Sequence, residues 1–431
     1  MKADSVLANV MQSTLPNGVR MGILDLPHAH HVSIWVAAPG GCIYETRQTN
    51  GISHAVEHLQ FSTTRRHQTR QALKRAMDRV AMHANAMLTD SAMYFTFSSP
   101  SEHAVEAIEL LAECLEAREF DKEILRTELE LLAVEMETMH QMSPDPMFHR
   151  IFKDHAANLA DGGSPRTILN LQSDQISDFA RKALAPDQLS VAIAGPISPE
   201  IARAAAHCFG ELRAATNERL RPPEPPALRL PIYIRANSGR LGCVMFRFLR
   251  PAPTTPHDYY TCRLLVAGMN LISSPMSEEL RYKLSGTYHC HVDHDCRAGI
   301  YFIEATAQTR MRDLNKVAVR IAQEFADIRN GRIDRDWFET ARRNCLFSVQ
   351  ASLDDPSGFA KYIAWRGSST CWVNEFSNSD DIAWLRNVRY EEIVSFAQRT
   401  FTLENLGMTF SARSRLFDTS RFRKLIEAVL R

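Results

Sequence analysis

Residues 51–58 read Gly-Ile-Ser-His-Ala-Val-Glu-His and contain the pattern His-x-x-Glu-His, formed by His54, Glu57 and His58. On an α-helix, residues four positions apart project from the same face, one turn above the other. Two imidazoles at this spacing can bind one Zn²⁺ ion, with a carboxylate beside them that can act on water. The segment therefore predicts a helix with a zinc site, and a zinc hydrolase is the first hypothesis.

A catalytic zinc ion needs a third protein ligand, because such sites use three side chains and leave one position open. The chain has 16 histidines, so the short pattern does not establish a metal site alone. Residues 120–135 contain no glycine or proline and are rich in leucine and glutamate, which predicts a helix. Glu128 and Glu135 share one face of that helix, two turns apart, and are candidates for the missing carboxylate.

The long-range spacing of these residues resembles a family signature. His-x-x-Glu-His followed by 76 residues and then Glu135 is similar to the motif of the pitrilysin, insulysin and mitochondrial processing peptidase family, a group of inverted-motif zinc peptidases (inverzincins). The family carries a second glutamate seven residues before the ligand, which falls on Glu128. The flanks also agree at Gly40, Glu45, Gly51 and Phe61, whereas Gly41 and Leu59 replace the family's serine and methionine.

The resemblance implies a role for each residue of the motif. His54, His58 and Glu135 are expected to ligate one Zn²⁺ per chain. Glu57 is expected to be the general base, which takes a proton from water and returns it to the leaving amine. Glu128 is expected to orient a ligand imidazole through its free N–H.

A second stretch resembles another conserved part of the family. In residues 279–288, Arg281 and Tyr288 lie seven positions apart and match the family's arginine and tyrosine. The resemblance implies that Arg281 anchors the substrate and that Tyr288 donates a hydrogen bond to the oxyanion of the tetrahedral intermediate.

Residues 83–87 resemble the edge strand with which the family pairs the substrate backbone. Asn85 and Ala86 are accordingly expected to bind substrate. Leu88 stands where threonine is usual and Thr89 follows one place later, so the strand register beyond Met87 is left open.

The chain divides near its middle. A proline-rich, polar stretch predicts a linker at residues 215–231, between an N-terminal zinc-binding domain at 1–214 and a C-terminal homologous domain at 232–431 that lacks the zinc motif and carries the Arg/Tyr pair. A faint repeat with an offset of 217 positions, for example Phe179 and Phe396, indicates duplication. The same offset places Leu271–Pro275 opposite His54–His58.

The predicted fold is α+β, with two homologous α/β domains. Each domain is expected to be a mostly antiparallel sheet with helices packed on one face, with strands at 32–37, 93–97 and 300–305. The family resemblance further implies that the two domains form half of a clamshell chamber. A partner of similar size would complete the chamber, either as a homodimer or as a heterodimer with a related subunit, and the active site would be composite.

Composition constrains the partners. Acidic and basic residues balance at 50 each and the pI is about 7.3, so neither nucleic acid nor an anionic membrane is expected as a partner. The N-terminus shows neither a secretory signal nor an import presequence, and no long apolar run occurs. Nine cysteines without framework spacing suggest reduced thiols, so a cytoplasmic enzyme is expected.

The best-supported function is zinc-dependent endopeptidase action on unstructured peptides, since a closed chamber excludes folded proteins. Alternatives are a dedicated processing peptidase for a ribosomal precursor peptide, such as a cofactor or natural-product precursor, and a non-catalytic or partner subunit of a heterodimeric peptidase. A zinc hydrolase of small amides is a further alternative. A competing metal site at residues 289–296, which are dense in His, Asp and Cys, is also considered.

Overall fold

The computed structural model describes residues 11–80, 83–116, 119–139, 145–236, 241–251, 255–283, 287, 290–352, 354–368, 381–411 and 418–431. Within these ranges, the strands form two separate sheets. The strands are β1 Met11–Thr14, β2 Arg20–Asp25, β3 His31–Pro39, β4 His83–Leu88, β5 Ala92–Pro100, β6 Ser190–Gly195, β7 Ile232–Ala236, β8 Gly242–Pro251, β9 Cys290–Arg297, β10 Ile300–Thr309 and β11 Leu406–Ser411. The strands predicted at 32–37, 93–97 and 300–305 lie within β3, β5 and β10.

Helices occupy most of the remaining described chain. They are α1 Ile52–Gln60, α2 Arg70–Val80, α3 Ala104–Cys114, α4 Lys122–Met139, α5 Pro146–Ile151, α6 Pro165–Ile168, α7 Ser173–Ala183, α8 Pro199–Gly210, α9 Pro256–Met269, α10 Pro275–Glu278, α11 Leu314–Arg329, α12 Arg335–Ser352, α13 Pro356–Ser368, α14 Asp381–Asn387, α15 Tyr390–Thr400 and α16 Thr419–Leu430. The predicted helices over the His-x-x-Glu-His motif and over residues 120–135 correspond to α1 and α4. Among the described residues, no helix combines the length and apolarity needed to span a bilayer.

The two sheets have the same topology. The first has the strand order β1-β2-β6-β3-β5-β4, and the second has the order β7-β11-β8-β10-β9. In each sheet one pair of strands is parallel, β2 with β6 and β7 with β11, and the other described pairs are antiparallel. When β1 is set aside, each strand of the first sheet has a counterpart at the same place in the second. The predicted pair of homologous, mostly antiparallel domains is therefore confirmed.

The predicted offset of 217 positions holds for only part of the repeat. It relates α7, Ser173–Ala183, to α15, Tyr390–Thr400, end to end. It fails at the motif helix, because 12 residues connect β3 to α1 whereas 4 connect β8 to α9. The pairing of Leu271–Pro275 with the motif is therefore wrong, since these residues follow α9. Helix α9 itself contains a single histidine, His257, and no second motif.

Each half contributes one helix that packs on the sheet of the other half. Helix α13 packs on β3 and β6 of the first sheet, while α5 packs on β7 and β11 of the second. This exchange explains why β6 is buried at every residue, because helices cover the sheet on both faces. The remaining helices of the first half pack on the opposite face in one apolar core. Residues 215–231 contain neither helix nor strand, and the domain boundaries at 214 and 232 stay a prediction.

Candidate metal centre and active site

The motif helix α1 has an apolar stripe at helical spacing. Ile52, Ala55, Val56 and Leu59 are buried in the core of the first half. Burying one such leucine completely stabilises the fold by about 2 kcal/mol. The stripe fixes the rotation of the helix about its axis, and the neighbouring face, which carries the two histidines and the glutamate of the motif, is turned toward α4.

The start of α1 is held by a buried carboxylate. Glu45 accepts hydrogen bonds from the backbone N–H groups of Gly51, at 2.8 Å, and Ser53, at 3.0 Å. Its negative charge also lies at the positive end of the helix dipole. Burial raises the pKa of Glu45, and these hydrogen bonds oppose the shift. Gly51 has a φ of 99°, in the left-handed region that favours glycine.

Three side chains converge in front of α1. The rings of His54 and His58 are 4.9 Å apart and nearly perpendicular. Glu135 of α4 places Oε1 3.7 Å from His54 Nε2 and Oε2 3.5 Å from His58 Nε2. Donors that bind one tetrahedral zinc ion at about 2.0–2.2 Å lie roughly 3.3–3.6 Å apart. The donor set and its spacing therefore fit a zinc ion.

The far nitrogen of each imidazole faces an acceptor. His54 Nδ1 lies 3.3 Å from the carbonyl oxygen of Gly162, and His58 Nδ1 lies 3.8 Å from Glu128 Oε2. These contacts turn both Nε2 atoms toward Glu135. Glu128 is itself paired with Arg70, whose Nη2 is 2.6 Å from Oε1. Neither Gly162 nor Arg70 belongs to the sequence motif.

The two imidazoles differ in their affinity for protons. Burial and the neighbouring His58 lower the pKa of His54, although Glu135 opposes the shift. Burial also acts to lower the pKa of His58. Its contact with Glu128 and the charges of Glu57 and Glu135 outweigh that effect, so the pKa of His58 is raised.

Glu57 lies beside these donors and is only 6% exposed. Its Oε2 is 3.6 Å from His54 Nε2. Burial raises the pKa of Glu57 to about 7; the charge of His58 acts to lower it, and the charge of Glu135 acts in the same direction as burial. A carboxyl group with this pKa can both accept and donate a proton near neutral pH. Glu57 also groups with the two histidines as a possible metal ligand, but Glu135 approaches both Nε2 atoms.

The donor side chains line a cleft of about 420 Å³. Strand β4 forms one wall through residues 85–88, and Asp161 and Gly162 contribute to another. Because β4 is the last strand of its sheet, one of its edges has no neighbouring strand among the described residues. The pairing of β4 with β5 continues through Met87 opposite Tyr94 and Leu88 opposite Met93. This resolves the register left open by the sequence, and Thr89 falls in the following turn.

The structure does not bring Arg281 into this cleft. Arg281 lies in a π-helical segment, Glu279–Lys283, where it is exposed and stacks over the ring of Tyr282 at 5.7 Å. It is absent from the described residues that line the cleft. Tyr288 lies outside the described residues, so its predicted role stays a prediction.

The competing site at residues 289–296 falls mainly on β9, the edge strand of the second sheet. His291 and Asp293 share an exposed face there, 3.9 Å apart, and His289 lies outside the described residues. Within the described part of the chain, His54, Glu57 and His58 are the group of three donors found close together. Cys296 is disulfide-bonded, so the prediction that all thiols are reduced is wrong at this residue.

Gly162 and Gly163 could have been noticed in the sequence as part of a turn. The Asp-Gly-Gly run at 161–163 predicts a tight turn, and both glycines have positive φ, 77° and 90°. Nothing in the local sequence indicates that this turn contacts the motif helix 108 residues earlier, or that Arg70 pairs with Glu128.

Comparison with known proteins identifies both halves. Residues 20–162 match the sequence profile described as insulinase (peptidase family M16). Residues 170–345 match the profile described as peptidase M16 inactive domain. Together the two matches cover most of the chain.

Individual relatives have low sequence identity to this chain, but their alignments cover most of it. The chain is 22% identical over 400 residues to an uncharacterized zinc protease, YmxG, of Bacillus subtilis, covering 91% of this chain and 96% of that protein. It is 22% identical over 321 residues to the beta subunit of the mitochondrial-processing peptidase of Dictyostelium discoideum, covering 65% and 64%. A protease from Helicobacter pylori superposes with a TM-score of 0.76 at 17% identity, covering 94% and 99%.

Proposed function

The chain belongs to peptidase family M16, and we propose that it is a zinc-dependent endopeptidase that cleaves short or unfolded peptides. The observation that carries the proposal is the convergence of His54, His58 and Glu135 beside a buried Glu57, in a cleft bounded by β4, whose outer edge is unpaired within the described part of the chain. Three donors for a metal ion with a carboxylate beside them are the groups that metal-assisted hydrolysis of an amide uses, which supports the proposal.

In this proposal, His54, His58 and Glu135 hold one zinc ion per chain. When bound, zinc supplies a Lewis acid that polarises a carbonyl group and makes water more acidic. Gly162 and Glu128 orient the two imidazoles and keep their Nε2 atoms available. The negative charge of Glu135 attracts a cation to the two Nε2 atoms. It also acts to raise the pKa of both histidines, so a proton competes with zinc for these nitrogens.

Glu57 is the general base. Its carboxylate takes a proton from the water that attacks the scissile carbonyl, and it then donates that proton to the departing amine. In the metal-free site burial raises the pKa of this carboxyl group, which supports a group that holds the proton between the two steps. Burial in the cleft wall supplies this property.

The substrate is proposed to bind as an added strand along β4. Extended peptide backbone can pair with the open edge formed by Asn85, Ala86, Met87 and Leu88. A folded protein does not offer an extended, unpaired backbone that fits a cleft of about 420 Å³. Short or unfolded chains are therefore the favoured substrates. The physiological substrate could be one dedicated precursor peptide or many degradation products.

The site is further proposed to be completed by a second subunit. Arg281 lies on the second half and does not line the cleft of its own chain, which supports a composite site in a homodimer or in a heterodimer with a related subunit. The rival interpretation as a non-catalytic subunit is disfavoured, because the donor set and Glu57 are intact.

The test is cleavage of an unstructured reporter peptide by the zinc-loaded protein. The Glu57→Gln variant should lose at least about 10²-fold in kcat while retaining its zinc, since the general base is removed and the proposed ligands remain. Glu130→Gln on the exposed face of α4 is the matched control and should cleave like wild type. Equal cleavage by wild type and Glu57→Gln would contradict the proposal, as would a wild-type protein that binds no zinc.

A further inference from the structure

The β9–β10 hairpin of the second half reaches the first half beside the candidate site. The hairpin turns at Ala298 and Gly299, both with positive φ. Ala298 and Ile300 are buried in a small apolar cluster that also contains Cys42 and Ala157 of the first half. The hairpin tip is therefore anchored to the segment that leads into the Gly162 turn.

Arg297, the last residue of β9, makes several polar contacts at this junction, where Cys42 Sγ also lies 3.2 Å from Asp161 Oδ1. Its Nη2 lies 2.9 Å from Asp161 Oδ1 and its Nη1 lies 3.3 Å from Oδ2, a bidentate pair. Its Nε donates to the carbonyl of Ala157 at 2.9 Å. The guanidinium also stacks over the ring of Phe148 at 5.5 Å. Arg297 thus binds both ends of the segment from Ala157 to Asp161.

That segment continues directly into the contact that orients His54. Asp161 precedes Gly162, whose carbonyl oxygen faces His54 Nδ1 at 3.3 Å. The turn has little freedom on its other side, because Gly163 lies against Gly51 at the start of α1. A Cβ atom on Gly163 would lie 2.6 Å from the Cα of Gly51. A shift of Asp161 would therefore move the Gly162 carbonyl rather than be absorbed in the loop.

We propose that Arg297 is a positioning residue for the metal centre: by holding Asp161, it fixes the Gly162 carbonyl and with it the ring orientation of His54. The inference rests on the proposed zinc peptidase function and extends it to a residue of the second half. It gives that half a direct effect on zinc binding within one chain. Groups that act on a metal through its ligands typically change metal affinity about 10- to 100-fold.

The experiment measures the dissociation constant for Zn²⁺ of the full-length chain by competition with a chromophoric chelator. Arg297→Gln removes the bidentate pair, and we expect it to weaken zinc binding about tenfold. Asp161→Asn leaves the Ala157 contact of Arg297 in place and should weaken binding similarly. The double variant should be no weaker than the worse single variant, because both changes break the same link.

Arg250→Gln is the matched control. The side chain of Arg250 is 19% exposed, against 15% for Arg297. Arg250 lies 3.6 Å from Asp258 and stacks on Phe396, and its partners among the described residues lie in the second half. It should lower the Tm of the metal-free protein without changing the zinc dissociation constant. This comparison separates positioning of His54 from a general loss of stability.

Three outcomes would overturn the inference. Unchanged zinc affinity in both Arg297→Gln and Asp161→Asn would show that the link does not reach His54, while the peptidase proposal would stand. Additive losses in the double variant would show that the two residues act separately. A wild-type chain without zinc affinity would overturn the proposed function and this inference together.

Discussion

At the scale of single residues, the candidate site depends on how closely its atoms are packed. Gly162 has a φ of 77°, and a Cβ atom there would lie 3.1 Å from His54 Nδ1 and 3.2 Å from Met136 Sδ. The carbonyl of Gly162 can approach the imidazole because no side chain intervenes. The residue therefore combines a left-handed backbone with close approach to a proposed ligand.

Gly162→Ala should weaken zinc binding as well as stability. The positive φ alone should cost about 1 kcal/mol of unfolding free energy, and displacement of His54 should weaken zinc binding about tenfold. Gly331→Ala is the matched control. Gly331 has a φ of 68°, and the nearest atoms to its added Cβ belong to Val394 at 3.8 Å. Calorimetry and zinc titration of both variants test this, and equal zinc affinities in the two would contradict it.

At the scale of elements, helix α13 belongs to the second half by sequence and to the first sheet by packing. It covers the face of β3 and β6 that lies opposite the helices of the first half. Phe359 and Ala360 of α13 are fully buried in a cluster that also includes Ala37 of β3 and Ala192 of β6. The first sheet is therefore complete only when the second half is folded.

Phe359→Leu should loosen the first sheet although it lies in the second half. The cavity should cost about 1–2 kcal/mol, so the amides of β3 should exchange with solvent roughly 5- to 30-fold faster by native-state hydrogen exchange. Phe422→Leu on α16 is the control, because its ring packs on Phe410 within the second half. Faster exchange confined to the second half in both variants would show that α13 does not stabilise β3.

At the scale of the whole molecule, one chain does not place Arg281 in its own cleft. The donor set and Glu57 lie in the first half, whereas Arg281 is exposed on the second. A closed dimer would allow the second half of one subunit to face the first half of the other. An isologous arrangement of this kind would produce two equivalent sites.

Mixing two inactive variants tests the composite site. Glu57→Gln and Arg281→Gln should each cleave the reporter peptide poorly. A mixture under conditions where subunits exchange should recover activity, because mixed dimers keep one site with both wild-type residues. Each variant mixed with itself is the control. Failure to recover activity, with subunit exchange demonstrated independently, would exclude the composite homodimer.

The sequence by itself determined the parts of this protein that depend on local periodicity. A helical repeat places His54 and His58 on one face, and the same repeat places Glu128 and Glu135 on another, whatever the rest of the chain does. Apolar patterning likewise predicted β3, β5 and β10. The duplication was visible where α7 and α15 keep the same spacing, and it was misaligned at the motif because the connection before α9 is shorter.

Only the tertiary structure decided which distant groups support the site. The Gly162 carbonyl contacts His54, Arg70 pairs with Glu128, and Arg297 pairs with Asp161. These contacts join segments far apart in the chain, and no local pattern encodes such pairings. The exchange of α5 and α13 between the sheets has the same origin. It follows from how two apolar faces are buried against each other, which depends on the packing of the whole chain rather than on the order of residues in any one segment.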